Sequence, residues 1–283
     1  MKNKSIKAIV LILAMTMLLS LAACSGEKAP ANNDANNDSS AAKKDIKLGC
    51  LSTTEPVLQW VKEGLKDKGY NVEVIMFDAN QLPATALKDG DLDGILANHK
   101  PWMETFNKEN NADLAMVEPY YYYSFFGIYS AKIKSLDELP MNAQIAVPGD
   151  PTNLSRSLII LKDAGLITLG EKTGPFYTIL EIEDNPKNIK LIETDIIHTA
   201  RSINDVDALI SPAVYMAESG VVKADEYLYE DVQNKDFPIG IITRSEDVES
   251  EWAKDVISLL TSDEYKDKFN DHFQGKYKLF EQE

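Results

Sequence analysis

The chain has 283 residues, 44% of them hydrophobic, and a formal net charge of −16 from 45 acidic and 29 basic side chains. The length suits one large or two medium domains and the apolar share is enough for a core, while the acidic balance excludes a basic nucleic-acid binder. Two cysteines are too few for a disulfide scaffold, and a single long apolar run excludes a multi-span membrane protein.

The N-terminus reads as an export signal. Lys2, Lys4 and Lys7 precede an almost unbroken apolar run from Ala8 to Ala23. The run is shorter than the roughly 20 residues a spanning helix needs. It ends in Leu21-Ala22-Ala23-Cys24, which resembles a bacterial lipobox. In such a motif the signal, here residues 1–23, is cut before the cysteine and the Cys24 sulfur is lipidated. Residues 24–44 are rich in Ala, Asn, Asp and Ser without apolar periodicity and read as a flexible tether. The expected location is the extracytoplasmic face of the cell membrane, on a lipid anchor.

From Ile46 onward short apolar runs alternate with amphipathic stretches. Ile46–Leu51 reads as a strand and holds Cys50, a buried, inert thiol. Glu55–Lys68 reads as a helix closed by Gly69. Val72–Phe77 is strand-like, Pro83–Lys88 a short helix, Gly94–Ala97 a short strand, and Pro101–Asn110 a helix. Leu114–Tyr120 and Phe125–Tyr129 read as strands. Ser135-Leu136-Asp137-Glu138 is a capping box. A second series follows: strand Gln144–Pro148, helix Asn153–Ala164, strand Ile189–Glu193, short helix Ser202–Val206, strand Ala208–Ser211 and helix Pro212–Ser219. Strand Pro238–Thr243 and helices near Ser250–Leu260 and Asp263–Phe273 end the chain. Strands alternating with helices in two series predict an α/β fold of two lobes, with mixed, largely parallel sheets and an interlobe cleft. Ligands in such folds sit at the carboxyl ends of strands.

Enzyme motifs are missing. There is no His-Glu-x-x-His, Gly-x-Ser-x-Gly, Walker or dinucleotide loop, and His99, His198 and His272 are far apart. No catalytic residue, metal or cofactor is expected. Three segments stand out instead. Pro148-Gly149-Asp150-Pro151-Thr152-Asn153 leads from a strand into a helix carrying Arg156. Asn153, the helix N-terminus and the Arg156 fork suit a carboxylate; a solvent-facing Arg156 paired with Asp150 or Asp163 is the alternative. Asn98-His99-Lys100-Pro101-Trp102 also joins a strand to a helix, as either a ligand rim or a helix cap with a packed indole. In Tyr120-Tyr121-Tyr122-Tyr123-Ser124-Phe125-Phe126, alternation lets at most half of the rings line one pocket, the others packing in the core.

In this order and spacing these segments resemble the methionine-binding lipoprotein family, the NlpA/MetQ type of receptor in ATP-driven importers. Supporting stretches are Ala86-Leu87-Lys88-Asp89-Gly90-Asp91-Leu92-Asp93, His99-Lys100-Pro101, Ser135-Leu136-Asp137-Glu138-Leu139-Pro140, Ile145-Ala146-Val147-Pro148 and Asn185-Pro186-Lys187-Asn188. The resemblance implies a periplasmic-binding-protein fold, no catalysis, and delivery of an amino-acid-like ligand to permease subunits served by a cytoplasmic ATPase. It assigns the ligand carboxylate to Arg156 and places His99 and Trp102 in the pocket. The sequence departs from the family at Asn80, Ala97, Asn98, Ser124-Phe125-Phe126 and Pro212-Ala213-Val214-Tyr215. Two aromatic walls and two amide contacts are thereby missing, so a carboxylate ligand other than free methionine is expected. Methionine, a quaternary amine such as betaine, and a short peptide are the alternatives.

The expected ligand-binding set is Arg156, Asn153, His99, Asn98, Trp102, Thr53, Thr54, Tyr122, Phe126 and Tyr215. The lobes are expected at 45–130 with 240–283, and at 131–239, hinged near Ser130–Lys134 and Phe237–Gly240. The protein is expected to act as a monomer without nucleic acid. An extracellular enzyme and a lipid-anchored adhesin are readings from other classes.

Overall fold

The computed structural model describes residues 44–280, so Cys24, the signal and most of the tether lie outside the described residues. The first lobe starts with β1 (Asp45–Leu51), α1 (Glu55–Gly64), β2 (Asn71–Phe77), α2 (Leu82–Lys88), β3 (Gly94–Leu96), α3 (Lys100–Asn110) and β4 (Leu114–Met116). The chain then passes through β5 (Tyr122–Ser124) into β6 (Phe126–Tyr129). The second lobe continues with β7 (Gln144–Pro148), α4 (Pro151–Asp163), β8 (Thr168–Leu169), β9 (Ile182–Asp184), β10 (Lys190–Thr194) and α5 (Ile196–Thr199). It ends with β11 (Ala208–Pro212), α6 (Ala213–Ser219) and β12 (Tyr229–Glu230). Strand β13 (Pro238–Ile239) leads back to β14 (Ile242–Arg244), α7 (Glu251–Leu260), α8 (Asp263–Phe273) and β15 (Tyr277–Leu279).

Each lobe is built on a five-stranded sheet, ordered β2-β1-β3-β14-β4 in the first and β10-β7-β11-β6-β12 in the second. Pairs within β1, β2 and β3 and within β7, β10 and β11 are parallel, because a helix covers each crossover. The pairs made by β14 and by β6 are antiparallel. Those two strands enter their sheets from the other lobe, where no crossover helix sets their direction. Between the lobes β13, β5 and β15 form a small antiparallel sheet.

Amphipathic spacing accounts for the helices. Helix α1 turns Val57, Leu58, Trp60 and Val61 inward, each contributing about 1.5–3 kcal/mol of burial. It ends earlier than the pattern suggests and tightens into a 3₁₀ turn at Lys66–Lys68, which Gly69 closes at φ 82°. Cys50 lies in the core and its thiol donates weakly to the Ile75 carbonyl. Burial, with Glu55 nearby, pushes that thiol up to about 12, so it stays protonated and inert.

Four local expectations change. The stretch read as one strand from Pro238 to Thr243 is split at Gly240-Ile241, because β13 belongs to the crossing sheet and β14 to the first lobe. Leu114–Tyr120 shortens to Leu114–Met116. Strand β6, expected in the first lobe, pairs with β11 and β12 in the second, so the first crossing lies at Tyr122–Ser124. Ser130–Lys134 is instead a turn fastened inside the second lobe, where the Ser130 hydroxyl donates to the Asp207 carbonyl at 2.7 Å. Among the described residues no helix is long and apolar enough to cross a membrane.

Candidate functional site

A small cavity lies between the lobes. It is bounded by the carboxyl ends of β1 and β3, by α4, by the β11–α6 junction, and by the crossing strands β5 and β13. Strand ends facing each other across two α/β lobes are where such folds place ligands.

Helix α4 carries the charge. Its N-cap Asp150 accepts from the Asn153 amide N–H, and Pro151 opens the first turn. One turn later Arg156 points inward and is 2% exposed. Its Nε donates to Asp231 Oδ2 at 2.6 Å and its Nη2 to Asn234 Oδ1 at 2.7 Å. The guanidinium carbon sits 4.2 Å from the Phe126 ring centroid and 4.0 Å from that of Phe237. Burial draws the guanidinium pKa down, while Asp231 holds it up. The alternative pairing with Asp150 or Asp163 is therefore corrected: Asp150 caps the helix, and the carboxylate on Arg156 comes from 75 residues downstream. A guanidinium has five N–H donors. Two are used here, and the Nη1 edge has no hydrogen bond among the described residues.

His99 faces Arg156 from the other lobe. It caps α3, with its Nδ1 accepting from the Trp102 amide N–H at 3.1 Å. The proton must then sit on Nε2, which donates to Asn153 Oδ1 at 3.1 Å. Asn153 Nδ2 donates to both Asp150 carboxylate oxygens, which leaves Oδ1 as the accepting atom. His99 and Asn153 thus latch the two lobes together. Burial and the Arg156 charge push the imidazole pKa down to about 3, and the ring is neutral at physiological pH. His99 thus caps α3 and also lines the cavity.

The remaining wall is polar at one end and apolar elsewhere. Asn98 Nδ2 donates to the Asn80 side chain and carbonyl at 3.0 and 3.3 Å. Trp102 stacks on Phe106, with ring centroids 5.3 Å apart. Ile196 and Tyr215 from the second lobe and Ile239 from β13 complete the apolar lining.

Of the expected residues, Thr53, Asn98, His99, Trp102, Phe126, Asn153, Arg156 and Tyr215 line this cavity. Thr54 and Tyr122 are placed elsewhere. The Thr54 hydroxyl is spent on the Leu96 carbonyl at 2.6 Å, tying β1's turn to β3. Tyr122 is fully buried against Tyr277 and Phe269 and is not part of the lining, whereas Ser124, two residues further along β5, is. Phe125 packs on Tyr227, outside the lining. Thr54→Val should therefore cost about 1–3 kcal/mol of stability, the penalty for an orphaned buried carbonyl, and leave ligand affinity within about twofold of the parent. Urea unfolding and calorimetric titration read the two effects separately.

Sequence reasoning missed Asp231, Asn234 and Phe237. All three lie on one irregular segment after β12, which has no periodic signal. It also missed Ser124 and Tyr277, which reach the cavity through pairing in the crossing sheet.

The family model for the NlpA lipoprotein matches residues 46–279. The D-methionine-binding lipoprotein MetQ of Yersinia pestis is 34% identical over 95% of this chain and 96% of its own length. Its namesake in Escherichia coli K12 is 34% identical over 81% of this chain and 86% of its own. Among solved structures, a nutrient-binding protein from Burkholderia cenocepacia bound to methionine superposes with a TM-score of 0.78 at 30% identity, covering 83% of this chain and 99% of that one. The substrate-binding protein of a methionine transporter from Streptococcus pneumoniae gives 0.78 at 28% identity, covering 85% and 97%. These relatives are substrate-binding proteins rather than enzymes. With its two lobes, its interlobe cavity and a match over nearly all of the described residues, this protein belongs to the NlpA lipoprotein family of substrate-binding proteins.

Proposed function

We propose that the chain is the methionine receptor of an ATP-driven importer, held at the extracytoplasmic face of the membrane by lipid on Cys24. The observation that carries this reading is the interlobe cavity, which offers the free edge of a buried Arg156 at one side and Trp102, Ile196, Tyr215 and Ile239 at the other. A carboxylate fits the first, and an unbranched thioether fits the second, with favourable sulfur–aromatic contact. Relatives named for methionine support the same choice.

The expectation of another ligand rested on aromatic and amide positions missing at Asn80, Ala97 and Pro212–Val214. The fold brings aromatic surface in from elsewhere, through Phe126, Phe237 and Tyr277. Methionine is therefore preferred to a different carboxylate. A quaternary amine is disfavoured because Phe126 and Phe237 already hold the Arg156 cation.

In this reading the lobes comprise residues 45–121 with 240–280, and 125–237. They close on ligand through contacts that exist only when both lobes meet, His99 to Asn153 among them. The closed monomer then docks on permease subunits coupled to a cytoplasmic ATPase. Native mass spectrometry followed by calorimetry should find one methionine per chain with a micromolar or tighter Kd, and Arg156→Ala should weaken it more than about 100-fold. Retention of a different small molecule, with no heat from L- or D-methionine, would restore the non-methionine reading. Cys24→Ala should move the protein from the membrane fraction to the soluble fraction.

A further inference from the structure

Arg156 stands where both crossing strands enter the second lobe. Strand β5 hands the chain to β6 at Phe126, and the segment after β12 hands it to β13 at Phe237. The two crossing strands pair with each other, Tyr123 opposite Pro238 and Tyr122 opposite Ile239. Phe126 and Phe237 are therefore the second-lobe roots of one passage. Their ring centroids lie 4.2 and 4.0 Å from the guanidinium carbon.

The backbone is tied to the same point. The Asp231 amide N–H donates to the Phe126 carbonyl at 3.0 Å, and the Phe126 amide N–H donates to Asn234 Oδ1 at 3.1 Å. That oxygen also accepts from Arg156 Nη2, while Asp231 accepts from Nε. Arg156 thus fastens the root of β6 to the segment that leads into β13. A ligand carboxylate on its remaining edge would be held at the passage between the lobes.

Phe237 also reaches the first lobe. Its ring meets the His99 imidazole edge to face, with centroids 5.1 Å apart and planes at 78°. His99 forms an isolated backbone bridge to Ile239, at the start of the same passage. One ring therefore touches the cation of the second lobe and the interlobe histidine of the first.

We propose that Phe237 is a positioning residue that couples lobe closure to Arg156, its ring keeping the free guanidinium edge in place while His99 packs against it. The proposal rests on the receptor reading above and goes beyond it, since it assigns the link between the binding site and the hinge. Opening about β5 and β13 carries His99 away with the first lobe, and Phe237 loses that partner. By linkage, a ligand that fixes Arg156 then favours the closed form. The cation is 2% exposed, and a desolvated cation gains most from a ring face.

The test uses the purified full-length chain with spin labels at Lys88→Cys in α2 and Lys162→Cys in α4, one on each lobe, beside calorimetric titration with L-methionine. Phe237→Leu keeps apolar bulk without the ring. It should weaken methionine about 10- to 30-fold and lower the closed fraction at saturating ligand. Phe237→Tyr should stay within about threefold of the parent. Mono-, di- and trifluorinated phenylalanine at position 237 drain charge from the ring face with little change of shape, so Kd should rise stepwise along the series. A ring that only packs would lower the urea midpoint of Phe237→Leu and leave affinity and closed fraction unchanged, which overturns the coupling. A flat fluorinated series also overturns it, whether or not Phe237→Leu folds. Should the parent give no heat with methionine, the methionine reading fails separately and the label distances of the ligand-free chain decide. The fluorinated variants should then shift toward the longer, open distances, and a distribution identical to the parent's overturns the coupling.

Discussion

Replacing Asp231 by alanine should destabilise the protein by about 3–5 kcal/mol, the usual cost of stranding one partner of a buried ion pair. Arg156 and Asp231 are each 2% exposed at the side chain. Without the carboxylate, the guanidinium keeps Asn234 and two ring faces but no counter-charge. Urea denaturation should show a lower midpoint with little change in slope. Arg156→Met is expected to be costly for the mirrored reason, since Asp231 would retain the Gln233 amide N–H at 2.8 Å but lose its cation. The double variant Arg156→Met/Asp231→Leu should be less destabilised than the sum of the two, because it leaves no buried charge unpaired. It should also fail to bind ligand. Strictly additive losses would show that the pair is not coupled and that Arg156 is held by other means.

Acidification should weaken ligand binding by up to about tenfold per pH unit below pH 6.5. In the closed protein His99 is pushed down to about 3 from its ordinary 6.5, by burial and by Arg156. An open or unfolded chain, with the ring in water, takes up a proton in that interval that the closed form refuses. Stability and closure are therefore fully present above pH 6.5 and are lost as pH falls from there toward 3. Glu181, held low by hydrogen bonds from Thr173 and Thr178, adds a loss of the same sign only below its ordinary value of 4.5. Glu218, raised by burial, acts in the opposite direction. His99→Asn keeps a cap for the Trp102 amide N–H but has nothing to titrate. Its affinity should be flat between pH 6.5 and 4.5, and a slope equal to the parent's would sink the assignment.

Legibility in the sequence followed range. Helices α3 and α4 were readable because Pro101 and the Gly149-Asp150-Pro151 turn mark their starts, although α4 begins at Pro151 with Asp150 as its cap rather than at Asn153. The same local signals located Asn98, His99, Trp102, Asn153 and Arg156, which all lie in the turn or the first two helical turns after β3 or β7. The run Tyr120–Phe126 was harder. Alternation says that its side chains diverge, but which face meets the ligand depends on β13 and β15, whose partners are more than a hundred residues away. Thr54 illustrates the same limit. Nothing local distinguishes it from Thr53, and only the proximity of the Leu96 carbonyl commits it to the scaffold.

By itself the sequence determined the α/β class, the two strand–helix series and the family, since each is written in periodicity, caps and short motifs, and the family resemblance singled out Arg156. Only the tertiary structure decided what surrounds that arginine. Asp231, Asn234 and Phe237 sit on an irregular polar segment whose composition carries no pattern, and they reach Arg156 because the chain must cross back between the lobes there. A buried cation has to find its counter-charge in space rather than along the chain, and that partner could be seen only once both lobes were in place.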